Sequence, residues 1–169
     1  VVNPHREGDT YPFSDLAGVG VAWKLCQALW QRLRGEEFTE DLELVALGTV
    51  ADMVPLLDEN RKLVREGLRC FSKTPLIGLA ELIRSAGLDG QPITAGHIGF
   101  LLGPRLNAAG RLETAAKGVE LLLSDDRAKA ALLAEELNAA NAERKAVEQD
   151  ILAQAEEQIA STDKEKARF

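Results

Sequence analysis

The chain has 169 residues, 46% hydrophobic and 28% charged, with a net charge of −7. Such a composition belongs to a folded globular protein and excludes a disordered or low-complexity segment. The negative balance argues against a broadly basic nucleic-acid-binding surface, but allows a local basic groove or anion binding through metal ions. In chain order, residues 1–12 combine two prolines, a glycine and several charges. They read as the end of a strand followed by a loop, a start that suggests a domain entered partway. His5, alone in that loop, reads as a solvated side chain. Ser14 or Asp15 can cap a helix over residues 16–33. Val19, Ala22, Trp23, Cys26, Leu29, Trp30 and Leu33 recur along it at three and four, marking one face for burial. Gly18 and Gly20 could open a phosphate-binding turn, but without a full fingerprint close helix packing accounts for them equally. Gly35 ends this helix, and Thr39 can cap the next, with Asp41 and Glu43 near its positive end.

Residues 44–57 are apolar or small almost without interruption, and only Thr49 and Asp52 carry polar side chains. The run is too short to span a bilayer and belongs in a core. A carboxylate inside it is expensive unless a partner, hydrogen bonds or a metal compensates it. If the run is helical, Thr49 and Asp52 share a face. Pro55 disfavours helix at Val54, which places Asp52 in the last turn or just past it. Two readings stay open: a turn residue bonding nearby amides, or a metal ligand at the mouth of a cleft.

Asp58 or Asn60 can cap a basic helix in which Arg61, Arg65 and Arg69 repeat every four residues, the pattern of a wet amphipathic face. Thr74-Pro75 breaks it. A short helix over residues 76–86 closes at Gly87, and Thr94 caps another over residues 95–102. The following Gly103-Pro-Arg-Leu-Asn-Ala-Ala-Gly-Arg-Leu112 reads as a tight loop: Gly103-Pro104 stops the helix, and Asn107 and Gly110 tolerate left-handed conformations. Arg105 and Arg111, with Asn107 between them, suit a phosphate or carboxylate, since each guanidinium offers a planar fork of donors. Bracing of the loop against nearby carboxylates is the alternative. From Thr114 the pattern is helical with a break near residues 124–126, where Ser124 or Asp125 can cap a long run over residues 127–160. Its later half is mostly charged around a thin apolar stripe, as if bridging to something outside the chain. The last residues lack a core pattern. Aromatics are only 5% of the chain, so its core is aliphatic, and Cys26 and Cys70 read as buried thiols with no metal-site spacing. No signal peptide or membrane-spanning stretch is visible, and the cytoplasm is the expected compartment.

Five segments, in this order, carry a resemblance: Val2-Asn-Pro; Tyr11-Pro-Phe; Leu16-Ala-Gly-Val-Gly-Val-Ala; Ala46-Leu-Gly-Thr-Val-Ala-Asp-Met-Val-Pro-Leu; and Gly103-Pro-Arg-Leu-Asn-Ala-Ala-Gly-Arg-Leu. Together they resemble the RecJ-like single-strand-specific 5′→3′ DNA exonucleases of the DHH phosphoesterase family. The resemblance implies a mostly α-helical fragment of an α/β DHH phosphoesterase domain, ending in a long connecting helix. Residues 1–57 would be the C-terminal part of the catalytic domain and 58–124 a helical extension of it. Residues 125–169 would be the helix leading to an absent DHHA1 domain. It also implies that Asp52 is a catalytic ligand of a Mn²⁺ or Mg²⁺ pair whose other ligands lie outside the chain. The chemistry of the loop makes Arg105, Asn107 and Arg111 the candidates for DNA binding, Arg111 foremost. Single-stranded DNA would be the substrate, a single-strand-binding protein and a helicase the partners, and the protein a monomer. The remaining DHH motifs are missing from these residues, so activity of the chain alone is not expected. Two other functions fit the residues less well: another DHH phosphoesterase, such as an oligoribonuclease or cyclic-dinucleotide hydrolase, and a catalytically dead replication scaffold.

Overall fold

The computed structural model describes residues 2–108 and 112–161, apart from the side chains of 112–115, 160 and 161. The described residues form helices joined by turns and loops, with no strand among them. In order come α1 (Gly18–Arg34), α2 (Leu42–Ala51), α3 (Asp58–Cys70), a 3₁₀ turn (Phe71–Lys73) and α4 (Ile77–Ser85). A further helical segment begins as α5 (Ala95–His97), widens into a π turn (Ile98–Leu102) and continues as α6 (Gly103–Ala108). It is followed by α7 (Leu112–Leu122) and α8 (Arg127–Ser161). The expected strand does not form over residues 2–12, which are turn and loop, because the described residues offer it no second strand to pair with.

The element that organises the rest is α2. Glu43, Val45, Ala46, Leu47 and Thr49 are all buried, and they point to every side of the helix, as expected of one surrounded by protein. Val45 joins Leu16, Trp23, Phe38 and Leu63 in one cluster. Ala46 and Leu47 belong to the larger one, built on Val64, Phe71, Leu79, Leu82, Ile98, Leu102, Leu121 and Leu137. Small residues bring the neighbouring helices close. A Cβ at Gly48 would lie 2.9 Å from Val19 of α1, and one at Gly67 of α3 would run into the Leu42 carbonyl and stand 2.6 Å from the Ala46 Cβ.

Helix ends follow local chemistry in some places and depart from it in others. Gly35 (φ 73°) and Gly87 (φ 74°) take the left-handed conformation that closes α1 and follows α4. Thr94 Oγ1 accepts from the His97 N–H at 3.2 Å, the expected cap. Neither Ser14 nor Asp15 caps α1; Ala17 holds the N-cap position without a side-chain cap, because Leu16 and Ala17 are pulled into the core. Nor does Thr39 cap α2. Asp41 holds that position with φ 60°, and Glu43 turns inward to accept a 2.8 Å hydrogen bond from Thr74 Oγ1. At α8 the cap is Asp126 rather than its neighbours, its Oδ1 accepting from the N–H groups of Ala128 (2.8 Å) and Lys129 (3.2 Å).

The apolar periodicity of α1 is only partly used. Gly20 and Trp23 are buried, Val19 and Trp30 half-buried, and Ala22, Cys26, Leu29 and Leu33 exposed. The stripe spreads over more of the circumference than α2 and Phe38 can cover. The first part of α8 packs on α4, α6 and α7, with Ala130, Ala134 and Leu137 in the core. Beyond Asn141 its described side chains are exposed, Val147, Ile151 and Ile159 among them, so the helix leaves the body as a rod. At 35 residues it is about 52 Å long. No helix among the described residues is long and apolar enough to cross a membrane.

Candidate functional site

Asp52 sits where the sequence places it, immediately after α2. Its N–H donates to the Gly48 carbonyl at 2.9 Å, the last regular turn. Met53 then adopts φ 56°, its N–H reaching the Val50 carbonyl at 3.2 Å, and the chain breaks away toward Pro55. The left-handed residue turns the backbone out of the helix and leaves the Asp52 carboxylate exposed. This corrects the expectation of a charge desolvated within an apolar run: the run buries its helical part, and the carboxylate stands outside. Thr49 does not share its surroundings. It is fully buried, its Oγ1 without a hydrogen-bond partner among the described residues.

The carboxylate lines a cleft of about 440 Å³ between the N-terminal loop, the start of α1 and the loop after α2. His5, Asp15, Gly18 and Pro55 line it as well. His5, which reads from sequence as merely solvated, therefore shares a cleft with Asp52. Only the N-terminal loop's tertiary path could reveal that, since the two lie far apart in the chain. The described residues include no group of three His, Cys, Asp or Glu able to hold an ion by themselves. Asp52 can thus offer hard carboxylate oxygen to a divalent cation as one ligand, with the rest of the coordination supplied by other groups.

Asn60 holds the cleft together. It is 0% exposed and does not cap α3. Its Nδ2 donates to the carbonyls of Asp15 (2.7 Å) and Pro55 (3.0 Å), and its Oδ1 accepts the Ala17 N–H at 3.3 Å. One amide thereby ties the entry to α1, the loop beyond Asp52 and the first turn of α3. Beside it, Glu59 accepts from Tyr11 Oη at 2.5 Å and pairs with Lys24 Nζ at 2.7 Å, bringing the N-terminal loop onto α1 and α3. Burial pushes the Glu59 carboxyl up, but the hydrogen bonds from Lys24 and Tyr11 outweigh it and hold the group below the ordinary carboxylate range. Sequence reading treats Asn60 as one of two cap candidates and does not single out Glu59, because their partners lie on other elements.

The expected tight loop does not begin at Gly103-Pro104, and residues 109–111, with Gly110 among them, lie outside the described residues. Residues 103–108 are helical, continuous with the π turn before them. Pro104 has no N–H and its ring crowds the carbonyl four residues back, and a locally widened turn accommodates both. The Gly103 N–H accordingly reaches five residues back, to Ile98. Arg105 directs its Nε to Asn138 Oδ1 of α8 (3.0 Å) and its Nη1 to the Leu101 carbonyl (2.8 Å). Burial lowers its pKa from the ordinary guanidinium value. These contacts make it a brace between α6 and α8. Arg105→Ala is expected to cost about 1.5 kcal/mol of stability, measured by denaturant unfolding, and Arg105→Lys to recover less than half. Unfolding at the wild-type midpoint in both variants would discard the brace. Asn107 is exposed on α6, and Arg111 lies outside the described residues. On α3, Arg61, Arg65 and Arg69 are exposed, and Glu66 pairs with Arg65 (3.0 Å) and Arg69 (2.6 Å), as on a wet face.

No family model matches the chain. It is 48% identical over 144 residues to the single-stranded-DNA-specific exonuclease RecJ of Bacillus subtilis, covering 85% of this chain and 18% of that protein. To the Escherichia coli protein of the same description it is 43% identical over 161 residues, covering 88% and 28%. Among solved structures, RecJ of Thermus thermophilus in complex with Mg²⁺ superposes with a TM-score of 0.74 at 39% identity, covering 86% of this chain and 23% of that one. The complex with Mn²⁺ matches equally, with a TM-score of 0.74. The chain thus spans 18% of the length of the Bacillus subtilis protein and 28% of the Escherichia coli one. Over most of its length it is homologous to the RecJ single-stranded-DNA-specific exonucleases.

Proposed function

We propose that this chain forms part of a metal-dependent 5′→3′ exonuclease acting on single-stranded DNA, with Asp52 as a ligand of its Mn²⁺ or Mg²⁺ ions. The observation that carries the reading is the placement of Asp52: an exposed carboxylate fixed to the end of a buried helix and lining a cleft. The homology and the metals named for the Thermus structures support it. Bound divalent ions would supply an activated water and neutralise the scissile phosphate. The chain's own contribution is to hold the Asp52 oxygens in place, with α2 anchored in two apolar clusters and Asn60 gripping the following loop. We assign Asn107 and Arg111 to phosphates of the strand, and give Arg105 the supporting part of fixing α6 on α8. In this reading residues 1–57 complete the catalytic domain, 58–124 extend it, and 125–169 lead toward a DHHA1 domain.

A chimera in which this chain replaces the matching segment of the Bacillus subtilis relative tests the assignment. The chimera is expected to degrade single-stranded DNA from the 5′ end with Mn²⁺ and to spare duplex DNA. A folded chimera that binds Mn²⁺ yet leaves single strands intact, beside an active parent, would remove it.

A further inference from the structure

We infer that Gly103 is a positioning residue for Asp52, setting where the carboxylate stands by letting the 95–108 helical segment seat directly on the last turn of α2. The inference rests on Asp52 being a metal ligand. Gly103 is buried at the junction where the π turn gives way to α6. A Cβ there would lie 3.2 Å from the Ala51 Cβ, 3.7 Å from the Ala51 Cα and 3.0 Å from the Ile98 carbonyl oxygen. Ala51 is the last residue of α2 and Asp52 follows it directly, so the contact falls on the backbone that carries the ligand. Gly99, four residues earlier, faces the same turn, its Cβ position 3.8 Å from Val50 Cγ1. Two glycines on one side of the segment thus receive the end of α2.

Little slack remains to absorb a methyl group at Gly103. The Ile98 carbonyl is backbone and already accepts the Gly103 N–H. On another side α2 is held through Gly48 against Val19, and Asn60 grips Pro55 just beyond the cleft. The displacement must therefore pass to Ala51, and from there to Asp52. A few tenths of an ångström matter little to a hydrophobic contact, but they matter to a metal ligand, whose distances are narrow.

The test uses the chimera described above, with Mn²⁺ affinity read from metal-induced stabilisation against thermal unfolding and the unfolding midpoint also taken in chelator. Gly103→Ala is expected to weaken Mn²⁺ binding by about tenfold, the loss typical of disturbing a ligand's supporting partners. Adding Ala51→Gly should restore affinity to within about twofold even though the second glycine adds no stability, the signature of coupled neighbours. Gly99→Ala, whose methyl meets only an ordinary contact, should bind Mn²⁺ as the wild type does. If Gly103→Ala lowers the midpoint in chelator but keeps wild-type Mn²⁺ affinity, Gly103 is a packing residue only and the inference falls. If Gly103→Ala does not fold, the double variant decides. Wild-type Mn²⁺ affinity there supports the inference, and failure to fold shows that the Ile98 contact dominates and overturns it. Asp52→Asn separates the two ideas: wild-type affinity in that variant would sink the ligand reading itself.

Discussion

Replacing Asn60 by leucine should lower the thermal midpoint of this chain by about 10 °C, the consequence of losing about 4 kcal/mol in a chain of this size. The side chain is fully enclosed and satisfies the Asp15 and Pro55 carbonyls and the Ala17 N–H. Leucine keeps the branch at Cγ but is larger and carries no polar atom, so the enclosed site is crowded while three backbone groups from two separate loops lose their partner. Each stranded group loses a hydrogen bond on the side that the enclosed Asn60 side chain occupied. Asn60→Asp sharpens the result. It keeps an acceptor for Ala17 but presents oxygen to two carbonyls, and should melt nearly as early as the leucine variant. Melting of both variants with the wild type would show that the clamp contributes nothing.

Asp52→Asn has the largest expected effect on function. In the chimera it should weaken Mn²⁺ binding and lower cleavage by more than about a hundredfold, beyond what disturbing an outer-shell partner produces. The amide keeps the shape of the carboxylate but lacks the charge that a hard divalent ion requires. Stability in chelator should stay within about 0.5 kcal/mol of wild type, as for other exposed surface changes. A carboxylate buried in the apolar run would have behaved differently, its removal raising the midpoint. Exposure of Asp52 takes that gain away. Near-normal cleavage by the asparagine variant would end the ligand assignment.

What could be read from sequence is what depends on neighbours along the chain. Gly35, Gly87 and Thr94 act through residues within one turn, and each does what its chemistry suggests. Pro55 likewise fixes the end of α2 at Asp52 from three residues away. Asn60 escaped because its polar atoms reach Asp15 and Ala17, over forty residues earlier, and from sequence an asparagine near a helix start looks like a cap. Gly103-Pro104 misled for a related reason. Proline ends an ordinary helix, but a π turn accommodates one, and nothing local announces that turn. Leu29 and Leu33 fit the helical period, yet period alone does not say which of two apolar flanks meets a neighbour.

The position of α2 between the two clusters bears on how the protein opens rather than on how it is built. Val45 is held by one cluster, and Ala46 and Leu47 by the other. Freeing α2 requires both clusters to give up their contacts with it, so this helix has no cheap partial unfolding of its own. Its amides should exchange with solvent only at the free energy of global opening, while those of α8 beyond Asn141 exchange through local fraying. The backbone that presents Asp52 should then be among the last parts of the molecule to melt, leaving its carboxylate to move through side-chain rotamers.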